Sequence, residues 1–150
     1  MTTIHLHAHA NVTPEQFVAA LTDFGPGRSE IFGNSADADL QVHAVEPGHA
    51  DVTEGSRGIW ERLTYDWSDP NHVVLTTTDS NAWGGRSGHT YDLTPRDDGS
   101  TDIDYTIVRE GKNLRGRLIG ALLGVGGKRV LVKAFQGTVA SIEKRNGSSS

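Results

Sequence analysis

Three histidines alternate with apolar residues near the start of the chain. His5, His7 and His9 lie within the segment TIHLHAHA, residues 3–10. Imidazole nitrogens are common zinc ligands, and residues two apart on a strand lie about 6.6–6.8 Å apart at Cα, so two of these histidines could converge on one ion. Three in a row on a straight strand could not, and no carboxylate or fourth histidine is evident to complete the set. The pattern favours a solvated strand face without a metal, and a metal site is the alternative.

The segment GALLGVGGKRV ends like a phosphate-binding loop, because Lys128 follows Gly127. That motif needs a glycine five positions before its second glycine and a serine or threonine after the lysine. This chain has Leu122 and Arg129 at those two positions, and no predicted strand precedes them. The pattern is typical of helix packing instead, and we expect no cofactor.

The composition excludes several kinds of chemistry. The 150 residues include no cysteine, which excludes disulfides, thiolate zinc sites, iron–sulfur clusters and cysteine nucleophiles. A formal net charge of -5 argues against sequence-independent binding of nucleic acid, which depends on neutralising phosphates with Lys and Arg. The longest apolar run, residues 118–125, is far shorter than the roughly 20 residues of a membrane span, and the N-terminus lacks a signal-peptide pattern. We therefore expect a cytoplasmic protein with no membrane span and no nucleic-acid partner.

The spacing of apolar and capping residues predicts the first two elements. Residues 3–10 alternate with a period of two, which predicts a strand with its apolar residues on the inner side and the histidines on the outer side. Thr13 and Gln16 have the spacing of a capping box, and Pro14 suits the first turn of a helix. A helix should therefore begin here and end before the glycines and proline at 25–27.

Short alternating runs separated by turn residues follow, which predicts an antiparallel sheet. The six further strands are expected at residues 40–46, 51–57, 59–67, 72–78, 89–94 and 101–109, after a short helical turn around 28–32. With the first strand they make seven, in a single domain that spans residues 1–145.

A long C-terminal helix is predicted from residue 113 to about residue 145, because apolar residues recur there at helical spacing. Gly116, Gly120 and Gly124 lie within it, so either a kink or a close backbone approach is expected. The polar tail at 146–150 should fray.

This order of elements resembles the helix-grip fold of the START-like superfamily (SRPBCC), which includes polyketide cyclases and plant pollen-allergen-type ligand carriers. HANVTPEQFVAALTDF is similar to the first strand and helix of such proteins, and WERLTYDWSDPNHVVLTT is similar to their hairpin. Phe17 stands where the family often has tryptophan, and GPGRSEIFGNS replaces the usual tryptophan-containing segment. The resemblance covers nearly the whole chain. It implies an α+β fold in which a curved seven-stranded antiparallel sheet, with short helices after its first strand, wraps a long C-terminal helix and leaves a cavity for an apolar or amphipathic molecule.

The more apolar side of each strand should line that cavity. The residues expected to bind the ligand are Leu63, Tyr65, Trp67, Leu75, Tyr91, Ile103, Tyr105, Ile107, Leu118 and Leu122. Gly120 and Gly124 could give the ligand room beside the helix. A mostly apolar pocket with a few polar groups is typical of small-molecule sites.

Glu61 and His89 are the acid–base candidates that fall on the inner sides of these strands. Burial would raise the pKa of the glutamate and lower that of the histidine, which prepares a general base or acid near neutral pH. The alternative is that Glu61 is paired with a basic neighbour or lies near the cavity mouth.

Three functions follow as hypotheses. The first is a carrier or sensor for a hydrophobic small molecule such as a lipid, a polyketide or an aromatic metabolite. The second is a polyketide cyclase or dehydratase in which Glu61 or His89 exchanges protons with the substrate. The third is a partner-binding module that uses the basic residues near the C-terminus, which otherwise form a solvated helix face. Those residues are Lys112, Arg115, Arg117, Lys128, Arg129, Lys133, Lys144 and Arg145.

Overall fold

In the computed structural model, which describes residues 1–33, 35–122 and 126–147, seven antiparallel strands form one sheet and confirm the expected architecture. The strands are β1 (Thr2–Ala10), β2 (Gln41–Glu46), β3 (His49–Ser56), β4 (Ile59–Asp69), β5 (His72–Ser80), β6 (Gly88–Pro95) and β7 (Thr101–Arg109). Their order across the sheet is β1-β7-β6-β5-β4-β3-β2. Consecutive strands therefore pair from β2 to β7, and β1 completes the far edge beside β7.

The described ranges also contain the helices α1 (Pro14–Leu21), α2 (Leu114–Leu122) and α3 (Lys128–Arg145), with 3-10 turns at Arg28–Glu30 and Asp37–Asp39. The start of α1 confirms the predicted capping box. The backbone N–H of Gln16 donates to the Thr13 hydroxyl, and the backbone N–H of Thr13 donates to the Gln16 side chain. None of the helices in these ranges is long and apolar enough to cross a membrane.

The described residues of the C-terminal segment are largely helical, as expected over residues 113–145. Helix α2 covers Leu114–Leu122, and α3 covers Lys128–Arg145. Residues 123–125, among them Gly124, lie outside the described residues, as does the end of the expected tail at 148–150.

Glycines allow α2 to approach the segment between β5 and β6 closely, as expected. A Cβ atom at Gly116 would lie 2.0 Å from the carbonyl oxygen of Ala82, so a larger residue cannot occupy this position without movement. A Cβ at Gly120 would lie 3.7 Å from the Trp83 ring, and the Gly120 carbonyl accepts a hydrogen bond from the Thr2 hydroxyl. Gly120 therefore packs α2 onto the end of the sheet, and the expectation that it gives a ligand room is not met.

The inner face of the sheet shares one hydrophobic core with α1 and α3. Burial alternates along β4 and β6, as a strand with one buried face requires. Helix α3 packs against β1 and contributes Phe135, Val139 and Ile142 to this core. Because a buried apolar side chain of this size contributes roughly 1.5–3 kcal/mol, these contacts hold α3 across the sheet.

Candidate ligand-binding site

A polar cluster lies buried on the inner face of the sheet. It joins Glu61 of β4, His89 of β6 and Arg109 at the end of β7, and we call these three residues the inner polar cluster. Arg109 donates two hydrogen bonds to Glu61, from Nη1 to Oε2 and from Nη2 to Oε1, each at 3.0 Å. The Arg109 and Glu61 side chains are only 9% and 10% exposed. The pairing is therefore a desolvated, bidentate ion pair.

Three neighbours complete the surroundings of the inner polar cluster. The Thr77 hydroxyl donates to Glu61 Oε2 at 2.9 Å, and the Arg109 guanidinium lies 5.1 Å from the centre of the Trp83 ring. Tyr105 contacts His89 from the adjacent strand. No buried side-chain nitrogen or oxygen in the described part of the chain lacks a hydrogen-bond partner, so the polar groups here are compensated for the loss of water.

The contacts of His89 define its tautomer. Its Nε2 lies 3.1 Å from Arg109 Nη2. Glu61 Oε1 lies farther from Nε2, at 3.5 Å. A guanidinium can only donate, so Nε2 accepts in the shorter contact with Arg109, and the ring hydrogen is assigned to Nδ1. Nδ1 then donates to the Tyr105 hydroxyl at 2.6 Å. The Tyr105 hydroxyl also interacts by a side-chain hydrogen bond with Tyr91 on β6.

The pKa values of the cluster follow from burial and from Arg109. Burial raises the pKa of Glu61, but the charge of Arg109 and the contacts with His89 lower it by more, so the carboxyl is held ionised. Burial acts on this pKa in the expected direction but is outweighed, because Glu61 is paired with a basic neighbour, which was the alternative. Burial, followed by the charge of Arg109, lowers the pKa of His89 as expected, and this keeps the imidazole neutral.

We predict that His89 makes the stability of the protein depend on pH in mildly acidic solution. Below the ordinary histidine pKa of 6.5, the unfolded state binds a proton that the folded state excludes, so stability falls as pH falls. The difference in unfolding free energy between the wild type and His89→Gln should change by up to about 1.4 kcal/mol per pH unit. Urea unfolding at a series of pH values measures it.

An exposed histidine provides the control for this experiment. His72 lies on β5 and contacts Asp92 on the outer face, away from the inner polar cluster. Introducing His72→Gln into both proteins should leave the pH-dependent difference due to His89 in place. A difference that does not change with pH would contradict the buried, neutral state of His89.

A row of aromatic rings continues from the cluster toward α3 and α1. Tyr91 stacks on Tyr105 with ring centres 4.2 Å apart, and Phe135 of α3 lies 5.1 Å from Tyr105. Phe17 of α1 lies 5.6 Å from Tyr91. Tyr105 remains partly exposed, although its strand lies between β1 and β6. Tyr105 is therefore the residue of this row that is not fully buried.

The structure brings most of the expected site residues together on this inner face. Six of the expected ligand-binding residues are buried there, namely Leu63, Tyr65, Leu75, Tyr91, Ile103 and Ile107. Trp67 and Tyr105 are partly buried against them. Leu118 and Leu122 are instead 59% and 70% exposed, because the glycine side of α2 packs on the sheet. These two leucines do not join the inner surface.

A second buried cluster surrounds Arg28. Its Nε donates to Glu54 Oε1 at 2.7 Å, and its Nη2 donates to the Tyr65 hydroxyl at 2.9 Å. The Tyr65 hydroxyl in turn donates to Glu54. The ring centres of Phe24 and Phe32 lie 4.7 and 4.6 Å from the guanidinium carbon of Arg28. Arg28 makes four hydrogen bonds within the protein, so this cluster anchors the segment after α1 rather than offering a site.

The histidines of β1 lie on the outer face of the sheet, as predicted. His5 contacts the Thr106 hydroxyl at 3.1 Å, and His7 and His9 contact Asp104 and Asp102, each at 2.9 Å. Each histidine thus has its own partner on β7. Among the described residues, no group of three or more His, Asp or Glu is placed to hold a metal ion.

Two surface clefts lie outside the core, near β2. One of about 490 Å³ is bordered by Gln41, His43 and Trp60, and another of about 450 Å³ is bordered by Ala44, Thr64 and Asp66. Apart from Tyr65, they do not contain the residues expected to bind a ligand.

Sequence reasoning missed four residues that shape the two buried clusters. Arg109 and Thr77 fall on the same side of their strands as the inner residues that were identified. Glu54 lies on the buried side of β3, and Arg28 lies in the turn after α1. Strand periodicity could have indicated Arg109, Thr77 and Glu54, whereas no pattern indicated Arg28.

Comparison with known proteins identifies the fold. No protein-family model matches the sequence, and no curated protein matches it. The Zhui aromatase/cyclase from Streptomyces sp. R1128 superimposes with a TM-score of 0.73 and 12% sequence identity, covering 97% of this chain and 95% of that one. A protein from Thermus thermophilus gives a TM-score of 0.72 at 16% identity, covering 99% and 100% of the two chains.

A START superfamily protein from Mycobacterium smegmatis is a further neighbour, with a TM-score of 0.68 and 14% identity over 93% of this chain and 98% of that one. The similarity extends over nearly the full length of all three neighbours. At this level of identity it establishes the fold and leaves the reaction open. The chain therefore has the expected helix-grip fold, the same fold as the Zhui aromatase/cyclase and the START superfamily protein.

Proposed function

We propose that this protein binds an apolar small molecule, of lipid, polyketide or aromatic character, between the inner face of the sheet and α3. The observation that carries the proposal is the partly exposed ring of Tyr105. Its neighbours across the sheet, Leu6 and Tyr91, are 6% and 5% exposed, so accessible surface at Tyr105 marks a local opening inside the fold. Partly buried Leu131 and Val132 of α3 add apolar surface to the core there.

The inner polar cluster gives this space one polar end. Tyr105 accepts a hydrogen bond from His89, and its own hydrogen would turn from Tyr91 to a ligand oxygen on binding. The stacked Tyr91 and Tyr105 rings offer a flat aromatic surface beside it. A molecule with an apolar or aromatic body and one carbonyl or hydroxyl group matches this arrangement. Burial of the apolar body would supply most of the affinity, and Tyr105 would set the orientation.

Replacing Tyr105 with alanine should weaken binding of N-phenyl-1-naphthylamine, a neutral aromatic probe, by about tenfold, because the flat contact surface is lost. Tyr105→Phe should retain most of the affinity for this probe, since the probe lacks an oxygen that needs the hydroxyl. Fluorescence titration of the probe measures both effects. Leu118→Asn on α2 and Val45→Asn on β2 are controls at exposed sites, and neither should change the affinity. Unchanged affinity for Tyr105→Ala would discard the inner site.

A cyclase or dehydratase is the second candidate, and the neutral His89 beside Tyr105 favours it. His89 Nε2, released from Arg109, would remove a proton from a carbon next to a substrate carbonyl while Tyr105 donates to the developing oxyanion. The proton would then return to a departing hydroxyl group, which leaves as water. Glu61 is paired with Arg109 and would position it rather than act as the base.

Mass spectrometry of the purified protein separates the two candidates. A small molecule that leaves only on denaturation would identify the ligand class. If the recovered molecule stays unchanged when incubated with fresh protein, the carrier function stands. If the recovered molecule instead loses one molecule of water, and this loss requires His89, the protein is an enzyme.

A further inference from the structure

The outer side of α2 presents three exposed leucines in a row. Leu114, Leu118 and Leu122 are 74%, 59% and 70% exposed. At about 100° per residue they form a stripe about 80° wide and about 12 Å long on one side of the helix. Gly116 and Gly120 lie on the opposite side and hold α2 against the sheet. The leucine stripe is thus displayed by a helix whose other face is already fixed.

Positive charge borders the stripe on both sides. Arg115 and Arg117 lie about 20° and 60° beyond its two edges on the helical wheel. Both are exposed, and neither forms an ion pair with a carboxylate in the described part of the chain. The sequence from residue 111 to residue 142 has six Lys or Arg residues and no Asp or Glu, in a chain whose formal net charge is -5. Positive charge is therefore concentrated at α2 and the start of α3.

We propose that the α2 leucine stripe and its flanking arginines bind the surface of a lipid bilayer that contains anionic headgroups. Aliphatic side chains would enter the boundary between headgroups and acyl chains while the arginines contact lipid phosphates, as in interfacial amphipathic helices. This site is separate from the inner face of the sheet, and it does not depend on the identity of the ligand there.

The chemistry of the stripe favours a bilayer over other occupants. A second copy of this chain would bring Arg115 and Arg117 against identical charges. A protein partner normally adds about one hydrogen bond per 100–200 Å² of interface, whereas the arginines are the hydrogen-bonding side chains on this part of α2. A bilayer needs no such directional partners, because it offers an apolar layer directly beneath an anionic one.

Sedimentation with vesicles tests this proposal. Wild-type protein should bind vesicles of phosphatidylcholine and phosphatidylglycerol in equal parts, bind phosphatidylcholine vesicles weakly, and lose binding as salt is added. Leu118→Asn should lower the partition coefficient about tenfold, and Arg115→Gln and Arg117→Gln about fivefold each. Val45→Asn is the matched control, since Val45 is 57% exposed on β2, and it should bind like wild type.

Three outcomes would overturn the proposal. The first is absence of vesicle binding by the wild type. The second is equal binding to neutral and anionic vesicles with no effect of the arginine changes. The third is a dimer in solution, measured by ultracentrifugation, that Leu118→Asn dissociates, which would assign the stripe to a second copy of the chain. Because Leu118 is exposed, Leu118→Asn should fold normally, and its circular dichroism spectrum verifies this.

Discussion

Replacing Arg109 with leucine is expected to lower the free energy of unfolding by about 3–5 kcal/mol. The change leaves the ionised Glu61 buried without the two hydrogen bonds that now compensate for its lost hydration. Thr77 would remain as its hydroxyl donor, which is insufficient for a buried charge. Urea unfolding at neutral pH, followed by tryptophan fluorescence, measures the loss.

Two further variants show whether the loss comes from the buried charge. The double variant Glu61→Leu with Arg109→Leu removes both charges and should recover a large part of the stability. Arg62→Leu is the matched control, because Arg62 also makes two hydrogen bonds to one carboxylate, that of Asp51, but is 44% exposed. It should cost at most about 1 kcal/mol. Equal losses for Arg109→Leu and Arg62→Leu would contradict the desolvated ion pair.

This pairing also bears on how the inner site could work. A carboxylate held by a bidentate arginine is a poor base, because protonating it would break the ion pair. The same contact fixes the guanidinium beside His89, and this directs the imidazole hydrogen toward Tyr105. In the proposed site, Glu61 would therefore act through Arg109, and Tyr105 would be the member of the network that meets the ligand.

The sheet was predictable because its strands expose one face and bury the other. The prediction of 101–109 matches β7, and the prediction of 72–78 falls two residues short of β5. The period-two pattern and the intervening turn residues were sufficient there. For helix α2 the prediction of the buried side is wrong. Its leucines have helical spacing, but the spacing does not tell which side packs, and here close backbone approach at Gly116 decided it.

The candidate site was predictable in part for the same reason. Glu61 and His89 were found because they share a strand side with apolar residues. Arg109 shares a side with Ile103 and Ile107, but this periodicity does not identify Glu61 as its partner. Burial of such a residue depends on a partner on another strand, and the pairing of strands cannot be derived from a single strand's periodicity.

Arg28 illustrates a contact that sequence periodicity cannot reveal. It lies in a 3-10 turn outside any repeating pattern, and its partner Glu54 is 26 residues away. Their contact depends on the path of the segment after α1, which crosses the end of the sheet. The side chains of Arg28 and Glu54 are nevertheless only 2% and 9% exposed. Their burial makes Arg28 a second position where one substitution should have a large effect.

Arg28→Leu should destabilise the protein by about 3–5 kcal/mol. The loss leaves the buried Glu54 without its cation and the carbonyls of Leu21 and Asp23 without their donor. Arg28→Lys should recover only part of the stability. An ammonium group lacks the planar arrangement of donors that reaches all these acceptors, and it cannot stack on the rings of Phe24 and Phe32 as a guanidinium does. Urea unfolding gives the magnitude. Hydrogen exchange should show faster exchange in residues 22–33 than in β7, since Arg28 ties that segment to the sheet.

Substituting Glu54 shows whether Arg28→Leu loses stability through an unpaired buried charge or through lost packing. Introducing Glu54→Gln into Arg28→Leu removes the unpaired charge while keeping the shape of the side chain, so it should restore part of the lost stability. Arg145→Leu is the control, because Arg145 pairs with Asp23 at 2.7 Å but both side chains are 43% exposed. It should cost less than about 1 kcal/mol. If Glu54→Gln lowered stability further, packing by the Arg28 side chain between the phenylalanines would be the dominant contribution, and the buried ion pair would be secondary.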